Sequence, residues 1–242
     1  MSKIVLLLAV LFYFTGIVQA MTPANVENVQ EAQTYGVARK NLSAGVLLSK
    51  WTIADSKKTN RFGIDERVIV YTPYAVAAVD AQNRAKSGQK VDVKDGLALA
   101  QAYDGILALG AIINSSFKVE PKSLTVHILQ GKKSLSPYNI TLDTASAHNL
   151  KISRDKLLFA GKFQNPTKKQ DANADNKKKP NSLLTKDPAG TGAEEVVVQV
   201  WNMQYFIYFD LTQIDLTKPM LFTISDQASG DREFKINLMD MN

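Results

Sequence analysis

Residues 195–211, EVVVQVWNMQYFIYFDL, hold four Val, one Ile, one Leu and five aromatic rings against two charges. β-Branched and aromatic side chains suit a pleated, packed surface, so the stretch predicts a strand, the most burial-prone of the chain. With unbroken alternation Trp201, Met203, Tyr205 and Phe209 share one face, and Phe206 and Tyr208 the other. Asn202-Met203-Gln204 interrupts the pattern and predicts a bulge, or two strands joined there.

Upstream the periodicity is mainly helical. Thr22-Pro23 places a cap before a first-turn proline and predicts a helix over 23–40. Residues 45–54 alternate like a half-buried strand, with a short helix as the alternative reading. Residues 55–66 are polar and read as a loop, and RVIVY at 67–71 as a short strand. Thr72-Pro73 repeats the capping device before a helix with Ala77, Ala81 and Ala85 on one face, which Ser87-Gly88 ends. Asp92 caps a second helix with Asp95 in its first turn, completing a helical hairpin. The continuously apolar run at 105–113 contains two glycines and reads as a buried strand.

From there the pattern is β. An alternating strand at 123–130 is closed by Gly131-Lys132-Lys133. Weaker strands are expected at 138–142 and 156–163, and two more at 220–225 and 233–238 around turn-forming residues 226–231. The DLT echo at Asp210 and Asp215 predicts two successive turns, because Asp and Thr bond nearby backbone. Residues 164–192 hold six Lys, three Asp and only two Leu, too little apolar surface to offset ordering entropy, and are expected to form a flexible loop.

The first twenty residues have a basic start at Lys3, an apolar run from Ile4 to Val18 and small residues before a cleavage point after Ala20, the layout of a signal peptide. That run is shorter than the roughly 20 residues of a stable membrane span. Export follows, to a periplasm, cell envelope or medium, with membrane contact only if the segment is retained. The chain has no cysteine, which removes disulfides, thiolate nucleophiles and iron–sulfur ligation. A net charge of +6 without a clustered basic stripe argues against nucleic acid.

Catalytic patterns are absent. The two histidines, His127 in a strand and His148 in an expected turn, do not form HExxH, and the D-x-N-x-D of Asp171, Asn173 and Asp175 runs into lysines, so no metal or other cofactor is expected. No nucleophile elbow, phosphate loop or dinucleotide fingerprint occurs, and the S-x-x-K at Ser153 lacks its companion motifs. Two carboxylates, Asp104 and Asp210, are the candidates for a hydrolase alternative that uses an acid pair on envelope polymers. The reading leans away from an enzyme.

The sequence thus predicts an exported α+β protein. A helix-rich part at 21–116, a helical hairpin with short strands, packs with an antiparallel, β-sandwich-like part at 117–242, as one domain or two. Its expected role is non-enzymatic binding of another protein or a surface glycan, with Trp201, Tyr205 and Tyr208 as binding residues, because open aromatic rings hold sugars, peptides and proteins. A further alternative is an accessory subunit of a secretion or pilus assembly, which requires an exposed strand edge.

Overall fold

A computed structural model describes residue 21 and residues 23–56, 62–153, 195–227 and 230–241. The leader at 1–20, the strand expected at 156–163, the lysine-rich segment at 164–192 and the D-x-N-x-D motif lie outside the described residues. The chain is α+β, with its α-helices between Val26 and Gln101 and two antiparallel sheets.

Helix α1 (Val26–Ala38) starts one turn later than its proline suggests. The Oδ1 of Asn25 accepts the Asn28 N–H at 2.9 Å and caps the helix, while the expected cap Thr22 lies outside the described residues. The strand expected over 45–54 is helical for most of its length. Ser43 caps α2 (Ala44–Leu47), a 3₁₀ turn follows at Ser49–Trp51, and only β1 (Thr52–Ala54) is extended. The adjacent Leu47 and Leu48 are both buried, which a strand with one open face cannot do.

Helix α3 (Pro73–Lys86) and α4 (Val93–Gln101) follow their caps Thr72 and Asp92 as expected. α1 and α3 cross where Gly36 rests on the Ala78 backbone; a Cβ there would lie 2.1 Å from the Ala78 carbonyl oxygen. Two buried glutamines fasten the helices to neighbouring chain. The Gln33 Nε2 donates to the Asp92 carbonyl at 2.8 Å, and that of Gln82 to the Arg39 and Leu42 carbonyls at 2.8 and 3.2 Å.

The remaining strands are β2 (Arg67–Tyr71), β3 (Ile106–Ser115), β4 (Thr125–Gln130), β5 (Lys133–Leu135), β6 (Asn139–Ser153), β7 (Glu195–Asp210), β8 (Met220–Asp226) and β9 (Gly230–Ile236). One sheet has the order β1-β2-β3-β7-β6 and the other β5-β4-β8-β9. β7 is one continuous strand. The break expected at Asn202 is absent because Asn202 Nδ2 donates to Asn114 Oδ1 at 3.0 Å across the ladder, which accommodates the polar residue in register. The irregularity lies in β6, between Leu142 and Thr144, where Asp143 is the extra residue. β6 also takes in His148, which sits exposed in the strand and not in a turn.

Alternate residues of the five-stranded sheet, including Leu107, Leu109, Ile113, Met203, Ile207 and Phe209, join Ile128, Phe222, Ile224, Phe234 and Ile236 of the other sheet in one core cluster. Phe209 meets Phe222 edge-on at 6.2 Å between ring centroids. At the sheets' margin the Asp55 Oδ1 accepts the Glu233 N–H at 3.1 Å, and the Ser56 N–H donates to the Glu233 carbonyl at 2.8 Å, tying the end of β1 to β9.

The ends of the expected polar loop at 55–66 are therefore interior. Asp55 and Glu66 are buried, and Glu66 belongs to a sealed ion network. The Arg232 guanidinium donates from Nε to Glu66 and from Nη1 to Asp226, both at 2.8 Å, and from Nη2 to the Asn114 carbonyl at 2.9 Å. The Asn114 N–H fills the other Glu66 oxygen at 2.6 Å. Among the described residues no helix is long and apolar enough to cross a membrane.

Candidate functional site

The structure separates the three aromatic residues singled out in β7. Tyr205 is fully buried, its hydroxyl donates to the Val119 carbonyl at 2.6 Å, and burial pushes its phenol far above the ordinary range. Its ring is core and offers nothing to a ligand. Trp201 is half-buried on the same parity, where it pairs with Ser115, the last residue of β3. Tyr208 is half-buried and projects from the opposite face.

That opposite face carries a strip of rings. In register, Tyr71, Ala108, Tyr208 and Asn139 form one row across β2, β3, β7 and β6, and Ile69, Gly110, Phe206 and Thr141 the next. Residues paired across a ladder share a face, so Tyr71, Phe206 and Tyr208 stand together on the side turned away from Leu109 and Ile207. Tyr71 and Phe206 lie 5.4 Å apart between centroids, and Tyr208 lies 6.3 Å from Tyr138, which is 60% exposed. Tyr103, just after α4, lies near this strip: burial first, and then the neighbouring Tyr103, raises the Tyr71 phenol, and burial and then Tyr208 raise that of Tyr103.

Two features shape this surface. A Cβ at Gly110 would lie 2.6 Å from Cε2 of Tyr71, so glycine is what lets that ring lie across the sheet. Asp143, the bulged residue of β6, is exposed, and its charge is felt at Tyr71. Burial chiefly holds the Tyr71 and Tyr103 phenols above 10, so both stay neutral and able to donate. The chemistry on offer is ring stacking, phenolic hydrogen bonding and one carboxylate at the rim.

A second aromatic feature is too small for such a role. Tyr35, Trp51 and Tyr74 border a cavity of about 130 Å³ with Glu31, Lys50, Thr72 and Met241. Ligand pockets usually run to roughly 300–1,000 Å³, and the Arg39 guanidinium already occupies one side of the Tyr35 ring at 3.6 Å. Burial, followed by the nearby Glu31 charge and its hydrogen bond, pushes the Tyr74 phenol up to about 12. A phenol with a folded-state pKa above its unfolded value of 10 contributes stability below pH 10 and loses it as pH climbs towards 12. Base titration followed by tyrosinate absorbance will therefore show a late-ionising fraction, and Tyr74→Phe will remove part of it. A titration curve that Tyr74→Phe leaves unchanged would contradict this.

The carboxylates are structural. The Asp210 side chain accepts from the Thr212 hydroxyl at 2.6 Å, the Gln213 amide at 3.1 Å and the Thr212 N–H at 3.0 Å, which lowers its pKa. Asp215, bonded to Lys218 and Thr217, is held at about 2. Asp92 is lowered mainly by the Lys94 N–H it caps. Glu66 is raised by burial, and it is sealed beside Arg232. Asp104 is exposed after α4. Among the described residues no group of three or more histidine or acidic side chains is placed to hold a metal ion.

No protein-family model matches the chain, and no curated protein or solved structure is significantly similar to it.

Proposed function

We propose that the protein is an exported, non-enzymatic binding protein of the periplasm, cell envelope or medium, and that it holds a surface glycan against the outer face of β2, β7 and β6. The observation that carries this reading is the strip formed by Tyr71, Phe206, Tyr208 and the open Tyr138. A sheet face turned to water is ordinarily polar, so rings gathered from separate parts of the chain on such a face mark a contact surface. The strip spans several strands, with phenols and one carboxylate interspersed. That mixture suits the apolar ring faces and hydroxyl edges of a sugar chain better than a purely apolar partner.

Export rests on the leader at 1–20. The two sheets, with a shared core and the Asp55–Glu233 tie, are taken here as a sandwich within one domain that includes the helices of 21–116. The acid-pair alternative has less support, since Asp210 is committed to its turn and is lowered where a general acid needs to be raised.

The test is a fluorescence or affinity-gel titration with solubilised envelope polysaccharides. Tyr138→Ala combined with Tyr208→Ala is expected to weaken binding by more than about tenfold, the loss of two ring contacts, with the circular dichroism spectrum unchanged. Equal binding by wild type and double variant, or no binding to any polysaccharide, sinks the proposal.

A further inference from the structure

The charge at the rim of the aromatic strip narrows the class of glycan, an inference that rests on the reading proposed above. β6 holds one acid in its 15 residues, Asp143, and the irregularity of the strand falls on it. Leu142 pairs with Tyr205 and Thr144 with Gln204, so Asp143 is the extra residue between them. The bulge keeps Thr144 and Ser146 on the face of the strip, and Ala145 and Ala147 on the other. It also sets an exposed carboxylate next to the row of Phe206 and Thr141, where its charge is felt at Tyr71. Bulges beside binding sites commonly re-aim a side chain in this way.

We infer that the strip takes an amino-sugar polymer, one whose rings carry free ammonium groups, in preference to neutral or uronic-acid glycans. An aromatic face presents negative charge density, so an ammonium held between such a face and a carboxylate is attracted by both. Tyr71, Phe206 and Tyr208 supply the faces and Asp143 the carboxylate. Burial keeps the Tyr71 and Tyr103 phenols neutral, so they donate to sugar hydroxyls without adding a charge.

The other charges of this face do not reverse its sign. By the same alternation Asp210 follows Tyr208 at the far end of the strip, ionised within its turn. Lys133 offsets it, with its Nζ donating to the Gln213 carbonyl at 2.8 Å. Arg67 shares the row of Gln204 and Thr144, three strands from β6. That is about 14 Å at ordinary strand spacing, past the roughly 8–10 Å over which exposed charges act in salt. His148 lies two rows beyond Thr144. The chain as a whole carries +6 and by itself would draw anionic polymers. A preference for cationic sugars is therefore a local property of Asp143 and the rings.

The test titrates the purified protein with soluble oligomers of equal length: a glucosamine oligomer, the same oligomer fully N-acetylated, and a uronic-acid oligomer. At about pH 6 the free amines are protonated. The glucosamine oligomer is expected to bind about fivefold more tightly than its acetylated form, the reach of one exposed ion pair and one cation–π contact, with the uronic-acid oligomer weakest. Asp143→Asn is expected to cut that ratio about threefold and Asp143→Glu to keep most of it, with unchanged circular dichroism. Added salt will lower the ratio as well. Equal or tighter binding of the acetylated or uronic-acid oligomer overturns the inference and leaves the glycan reading standing. So does a ratio that Asp143→Asn leaves unmoved, or polylysine binding as tightly as the glucosamine oligomer, which would make basic peptide the better occupant. Failure of all three oligomers to bind sinks the glycan reading and this inference together.

Discussion

Arg232→Met will lower folding stability by about 3–5 kcal/mol, the loss typical of a buried charge network deprived of one partner. Arg232, Glu66 and Asp226 have side chains only 1% exposed, and the guanidinium supplies both carboxylates with hydrogen bonds. Methionine fills similar space but leaves the acids in a medium that solvates charge poorly. Burial already holds the Glu66 carboxyl above its ordinary 4.5 even beside Arg232. Without the guanidinium it rises further. A carboxyl whose folded-state pKa exceeds its unfolded value stabilises most when protonated, so the variant's deficit will shrink as pH falls towards 4.5 and widen towards neutrality. Adding Glu66→Gln and Asp226→Asn to Arg232→Met is expected to recover a large part of the loss, because the cost lies in the unneutralised charges. Urea unfolding across this pH range measures all three effects; a single-variant loss under about 1 kcal/mol would place the network effectively in solvent.

The second large effect is at Gly36. Alanine there ordinarily gains up to about 1 kcal/mol in helix propensity. Here its Cβ would stand 2.1 Å from the Ala78 oxygen, 2.9 Å from the Ala78 carbonyl carbon and 3.1 Å from the Gln82 nitrogen, all backbone atoms of α3 that cannot rotate aside. The helices must separate. Separation also strains the bonds from Gln82 to the Arg39 and Leu42 carbonyls. Gly36→Ala is therefore expected to destabilise by about 2 kcal/mol net, and Gly36→Val by more. A neutral or stabilising alanine would show that α1 is not held at this crossing.

Both sites expose how local patterning works and where it stops. β7 and β3 are legible because their runs are apolar and β-branched, and α3 and α4 because Thr72-Pro73 and Asp92 are chemically explicit caps. β6 is mostly illegible as a strand: an edge strand with one face in water needs few apolar residues, and its bulge breaks the alternation. Arg232 is missed because the sequence pattern begins β9 at 233, three residues after its start at Gly230. Extended backwards, the same alternation places Arg232 with Phe234 and Ile236 on the inward face and Asp231, Glu233 and Lys235 on the outward one. Asp226 similarly continues the inward series Met220, Phe222, Ile224 of β8. An ionisable residue in phase with a core face is thus the signal that sequence carried.

The aromatic strip was half legible. Alternation alone places Phe206 and Tyr208 on one face of β7, but the rings that extend it, Tyr71, Tyr103 and Tyr138, come from distant points that only the sheet order brings together. Tyr205 was misassigned for the converse reason. Strand alternation says that two faces differ and not which one is covered.

The ion network also dictates when the chain can finish folding. Glu66 waits for a residue 166 positions later, and Asp55 for one 178 positions later. Until β9 is synthesised, Glu66, an acid bound for the interior, lacks the Arg232 guanidinium. Closing so long a loop before any reward is slow, so the emerging polypeptide stays open and threadable until β9 has been made. A chain cut short before β9 is then not a smaller folded protein but an unfinished one, readily cleared by proteases.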